Sequence, residues 1–171
     1  MKTEVETTEH DIGTFMIKSD LMVVSDPCYT RGTWCAGEIK AKSGLWHAKV
    51  FKGVMDDWGN RVLKLKAVHG SVPMDTQPTE QCDFEVGVDS GQAGLFDPAH
   101  YNSESEAWYD NISHLTLHTE VSAGTTDYGC VSSSGFGDGG YRCYVLTDPE
   151  TGEATCVEIE FINVEEYYKD E

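Results

Sequence analysis

Basic residues are the first shortage in this chain. Its 171 residues carry 12 Lys and Arg against 30 Asp and Glu, a formal net charge of −18, and only Arg31, Arg61 and Arg142 are arginine. Such a charge repels polyanions and excludes general binding of duplex nucleic acid. No apolar run is long enough to span a bilayer, and the stretch from Met1 to His10 has no apolar segment of the secretory kind. A cytoplasmic protein without a membrane partner is expected. The six cysteines, at 28, 35, 82, 130, 143 and 156, contain no C-x-x-C spacing, so neither a zinc ribbon nor a thioredoxin-like dithiol fits. Buried free thiols are the simpler reading.

Catalytic signatures are also missing. Ser90 in Gly87-Val-Asp-Ser-Gly91 is displaced by one place from the serine of a G-x-S-x-G elbow. His114 and His118 share a helix face, but there is no H-E-x-x-H and no third ligand, so they read as surface histidines. A Cys28 or Cys130 nucleophile needs a histidine base that nothing in the sequence supplies. Asp26, Asp89, Asp97 and Asp138 lie in bends without the D-x-D-x-D-G order of a calcium loop, and such residues usually bind their own backbone. The expectation is therefore not an enzyme, with no metal and no cofactor.

What is abundant is alternation. Arg61 to Val68, Cys82 to Val88 and Ala154 to Ile162 have period two, with Leu63, Leu65 and Ala67 inward and Lys64 and Lys66 outward. Shorter runs at 14–17, 21–24, 35–40 and 45–51 read the same way. Pro27 ends the second of them near Asp26. One helix is expected near 103–115, opened by a Ser103/Glu106 capping box. Residues 89–97 read as a glycine-bearing bend and 141–162 as a C-terminal hairpin around Asp148 to Gly152. The fold class is mainly β, an antiparallel sandwich or open barrel. A single domain over 1–171 is expected, with residues 1–12 frayed and 165–171 an acidic tail.

Gly135, Gly137, Gly139 and Gly140 fall within six residues, between strand-like segments. So dense a glycine run is either an elaborate turn or a place where another group approaches the backbone. Around it, and around the turn at 29–34, stand aromatics and arginines: Tyr29, Arg31 and Trp34 at one, and Phe136, Asp138 and Arg142 at the other. Bases stack on aromatic and guanidinium planes, arginine grips phosphate bidentately, and glycine-rich bends form anion nests. With Ser90 and Gln92 from the 89–94 bend, these eight residues are the candidate ligand site. The competing reading makes the aromatics core and leaves the arginines salt-bridged.

Three stretches, Ser25-Asp-Pro-Cys-Tyr29, Val88-Asp-Ser-Gly91 and Ser134-Gly-Phe-Gly-Asp-Gly-Gly-Tyr141, occur together in this order. As a set, over roughly residues 20 to 162, they resemble a family of small bacterial and phage proteins with a domain of unknown function. The resemblance implies a β-rich fold. In size and motif style the chain is also similar to viral sponges that sequester cyclic-nucleotide signals as multimers. That implies a homo-oligomer holding a small anionic nucleotide, such as a cyclic dinucleotide, without catalysis. The rival expectation, from charge alone, is an acidic interaction module that occupies the basic site of a nucleic-acid-binding protein.

Overall fold

Period-two alternation decides the layers. In the computed structural model, which describes residues 5–34, 36–102 and 105–169, eleven strands form two antiparallel sheets. The larger sheet contains β1 (Thr7–Ile17), β4 (Gly44–Val54), β5 (Asn60–His69), β6 (Glu80–Val88), β10 (Gly139–Thr147) and β11 (Ala154–Glu160), in the order β1-β4-β5-β11-β10-β6. The smaller contains β2 (Leu21–Ser25), β3 (Ala36–Lys40), β7 (Gln92–Phe96), β8 (Ala123–Thr126) and β9 (Gly129–Ser133), in the order β3-β2-β7-β9-β8. Trp46, Ala48, Val50, Leu65, Ala67, Val157 and Ile159 face Met22, Val24, Ala93, Leu95 and Cys130 across one main core. Neither sheet closes on itself, so the architecture is a sandwich and not a barrel.

Helix α1 (Glu106–Leu117) covers the outer face of the smaller sheet. There Ile112 joins Val23, Phe96 and Val131 in a second cluster, flanked by Tyr101, Trp108 and Leu115. This cover explains one of the two missed strands, the other being β8. β7 is buried on both faces, so Gln-Ala-Gly-Leu-Phe has no polar side to alternate with. The bend expected over 89–97 is therefore a turn followed by a central strand. The α1 N-cap is Ser105, whose hydroxyl accepts from Trp108 N, whereas Ser103 of the expected capping box lies outside the described residues.

Three other expectations shift. Residues 7–11, expected to fray, pair with β4 from Thr7↔Gly53 to Asp11↔Lys49. Most of the expected acidic tail is a short helix, α2 (Val164–Lys169), anchored by buried Tyr168. Lys66 alternates outward as expected, yet it is fully buried, and its ammonium has no hydrogen-bond partner among the described residues. Its cross-strand neighbours are Lys49 and Glu158, so this outer face is itself partly covered. The Cys156 thiol, which donates to Thr76 O, ties the 70–79 loop to the same face. No described helix is long and apolar enough to cross a membrane.

Candidate functional site

The three motif stretches, far apart in sequence, meet at one end of the smaller sheet. Asp26 directly follows β2 and is fully buried. Its carboxylate accepts from Cys28 N (3.0 Å), Asp89 N (2.9 Å), Ser90 N (2.8 Å) and Ser90 Oγ (2.7 Å). One turn further, Gly91 N donates to Asp138 Oδ1 (3.0 Å), and Ser134 N donates to Gly91 O (3.1 Å). The Tyr29 hydroxyl donates to Asp89. Gly137, at φ +116°, sits where an L side chain is strained, and its carbonyl accepts from Ser134 Oγ and Tyr141 Oη. The aspartates do bind backbone, but mostly the backbone of other loops.

This geometry sorts the eight sequence candidates. Tyr29, Ser90 and Asp138 belong to the knot, and exposed Trp34 lies edge-on to Tyr29 at 6.2 Å. Arg31 is held bidentately by Glu38, at 2.7 and 2.9 Å. Gln92 is buried between β7 and α1, donating to Ser113 Oγ (3.3 Å) and accepting from Thr116 Oγ1 (2.9 Å). Phe136 packs between Trp58 and Tyr167, at 4.8 and 5.4 Å. Arg142 is on the outer face of the larger sheet, paired with Glu166 at 3.0 Å. The arginine that reaches the glycine loop is Arg61, whose Nη1 donates to Gly135 O (3.5 Å). In the knot, the main-chain donors of Cys28, Asp89, Ser90 and Gly91 are taken by the Asp26 and Asp138 carboxylates and not left for an anion. Burial also pushes the Cys28 thiol up from its ordinary range.

The knot anchors something else. Trp108 Nε1 donates to Pro27 O (2.8 Å), and the Tyr101 hydroxyl sits among Ser25 Oγ (2.9 Å), Asp26 O (3.0 Å) and Tyr29 O. Both rings line a cleft of about 570 Å³ between α1 and the β8–β9 turn. A further wall is the His100 ring, stacked on Tyr128 at 3.5 Å and 7°. His100 Nδ1 lies 2.7 Å from Asp97 Oδ2, and the other carboxylate oxygen accepts from Ser19 N and Oγ, at 3.2 and 2.5 Å. In the tautomer that donates Nδ1–H to the Asp97 carboxylate, Nε2 remains an acceptor. Asn102 and Asn111 add amides, Asp127 adds a carboxylate, and Lys18 Nζ stands 5.6 Å from the Tyr128 ring centre.

Sequence reasoning missed this cleft. Its signals were Asp97-Pro-Ala-His-Tyr101, where a 3-10 turn sets Asp and His three apart, and Tyr128 in the two-residue Asp127–Tyr128 turn between β8 and β9. Neither is specific alone. His114 and His118 are exposed neighbours, their rings 4.9 Å apart, and no cluster of three or more His, Cys, Asp or Glu that could hold a metal occurs among the described residues. Comparison with family models, curated proteins and solved structures gives no match. The molecule is a β-sandwich carrying a preformed aromatic cleft at one end.

Proposed function

We propose that the protein binds a small nucleotide by its base in the Tyr101–Trp108–Tyr128 cleft and releases it unchanged. The observation that carries this reading is the cleft itself, whose volume lies in the range of ligand sites and whose aromatic walls are fixed from behind by the motif knot. Flat rings stack on bases, and the Asn102 and Asn111 amides offer both donors and acceptors for a base edge. Preset walls lower the ordering entropy lost on binding. Lys18 is the nearby cation for a phosphate. Since Arg31 and Arg142 are already paired with carboxylates and the chain is strongly acidic, a ligand with few charges per base is favoured. A cyclic dinucleotide meets that condition better than a nucleoside triphosphate. Sequestration of a signalling nucleotide, by a homo-oligomer that closes the open side of the cleft, is the role consistent with binding alone.

Calorimetry with nucleosides, mononucleotides and cyclic dinucleotides tests this, followed by chromatography of the recovered ligand. Tyr128→Ala is expected to weaken binding by about 1–3 kcal/mol, the usual range for one stacked base. Asn111→Ala, on the exposed helix surface, should weaken binding without altering the melt. Arg142→Ala should leave affinity unchanged. Binding of small quaternary ammonium compounds in preference to every nucleotide would turn the cleft into a cation cage. A chemically altered ligand would make it an active site.

A further inference from the structure

The two sheets present their unpaired edges on one flank. β3 is the edge of the smaller sheet and β6 the edge of the larger. Both line one groove of about 370 Å³. Along 80–86 of β6 the hydrogen bonds run to β10, and along 37–40 of β3 to β2, so among the described residues nothing pairs with either outer edge. On this flank the Phe84 ring lies on Gly37. A Cβ there would stand 2.1 Å from Phe84 Cε2, so only glycine admits the ring. Beyond that plug, the floor is apolar: Ile39, Val145 and Ala154. The rim is acidic. Glu80 and Asp83 are exposed, and neither belongs to an ion pair among the described residues. Glu38 is engaged by Arg31, and the Lys40 ammonium is turned away onto Thr151 O (3.0 Å).

We infer that this groove docks an extended segment of a partner protein in which basic and apolar residues alternate. An extended chain laid along β6 satisfies the open main-chain groups, and its period of two sends alternate side chains down to Ile39 and Val145 and out to Asp83, while Glu80, at the first position of β6, adds a second carboxylate at the end of the groove. Charge decides the occupant. A second copy of this chain would bring another −18 charge and acidic edge against the same rim, whereas a basic strand is drawn to it. The inference is independent of the aromatic cleft.

The test uses a fluorescein-labelled octapeptide alternating Val and Lys, titrated with the full chain at about 0.15 M salt, with amide shifts followed by NMR. Saturable binding is expected, with shifts concentrated at 80–85 and 37–40. Glu80→Lys and Asp83→Lys, both at exposed positions, should each weaken it at least fivefold. A peptide of the same sequence N-methylated at alternate residues loses the strand hydrogen bonds and should bind at least tenfold more weakly. Equal binding of the methylated peptide, shifts spread over the whole acidic surface, or no saturable binding of the unmodified peptide would each overturn the inference. So would self-association through the same amides.

Discussion

Asp97 is fully buried, and burial by itself pushes its carboxyl up, but hydrogen bonds from Ser19 and His100 outweigh that and hold it below the usual 3.8. A carboxyl lowered in the fold stabilises the native state above its unfolded value and loses that contribution as pH falls through the folded one. Asp97→Asn should therefore be less stable than the parent at pH 7. The gap should close as pH drops below about 3.8, read from urea midpoints across pH. Glu158 behaves in the opposite sense. Burial raises its carboxyl above the usual 4.5, and Lys64, at 4.0 Å, and Lys66 only partly reverse this. Its charged form therefore opposes folding at neutral pH, with relief as pH falls toward 4.5. Beside it lies the buried Lys66 ammonium. Replacing buried opposite charges by apolar groups is often neutral or stabilising by about 1–4 kcal/mol, while removing one alone destabilises. The double change Lys66→Met/Glu158→Leu is expected to match or exceed the parent in chemical denaturation, with both single variants below it. A double variant less stable than either single one would show that the two charges support the face they occupy.

Helix α1 connects the fold to the cleft. Its inner face supplies Ile112 to the second core, and Thr116 and Ser113 fasten it to Gln92 of β7. Its first turn places Trp108 against Phe96 and Tyr101, both at 5.2 Å, with the indole nitrogen on Pro27 O. Trp108→Phe keeps most of the apolar contact and removes that hydrogen bond. A loss of about 0.5–1.5 kcal/mol in thermal or urea unfolding is expected. Because the bond fixes one cleft wall, ligand-free amide exchange at Cys28 and Tyr29, both bonded to Asp26, should also quicken while the central strands β5 and β11 keep their protection. Unchanged exchange at the turn would mean that Tyr101 and Asp26 hold it without help from the helix.

Across the whole molecule, 30 carboxylates against 12 cations impose a self-repulsion that the fold must overcome. Few acids are neutralised locally. The clear pairs, such as Arg31–Glu38 and Arg142–Glu166, lie at the surface, where such pairs add little stability. Raising salt from about 0.01 M to about 0.15 M shortens the Debye length from about 30 Å to about 8 Å. The melting temperature should rise over that interval, more steeply than for a neutral protein of the same size. A flat or falling curve would mean that the surviving ion pairs outweigh the net repulsion.

Alternation over 61–68, 82–88 and 154–162, together with the turn signal at Asp148 to Gly152, was enough to read a mainly β antiparallel fold with one helix and a C-terminal hairpin. Period is a local property, and it survives wherever one face of a strand meets solvent. It fails for β7, which is buried on both faces, and it misjudges Lys66, which is buried although its position alternates outward. The candidate site divides in the same way. The motif stretches were legible as unusual, and glycine at 137 follows from a backbone angle that only glycine takes without strain. Their partners were not legible, because Asp26 reaches Asp89 and Ser90 across more than sixty residues and thereby fills the donors of the very bend that looked open. The sequence alone determined composition, charge, strand period and the location of sharp turns, all set by neighbours along the chain. Only the tertiary structure decided which arginines stay paired, which rings form a cleft around His100 and Tyr128, and which two strand edges face each other. Those outcomes depend on long-range packing, to which no local pattern is sensitive.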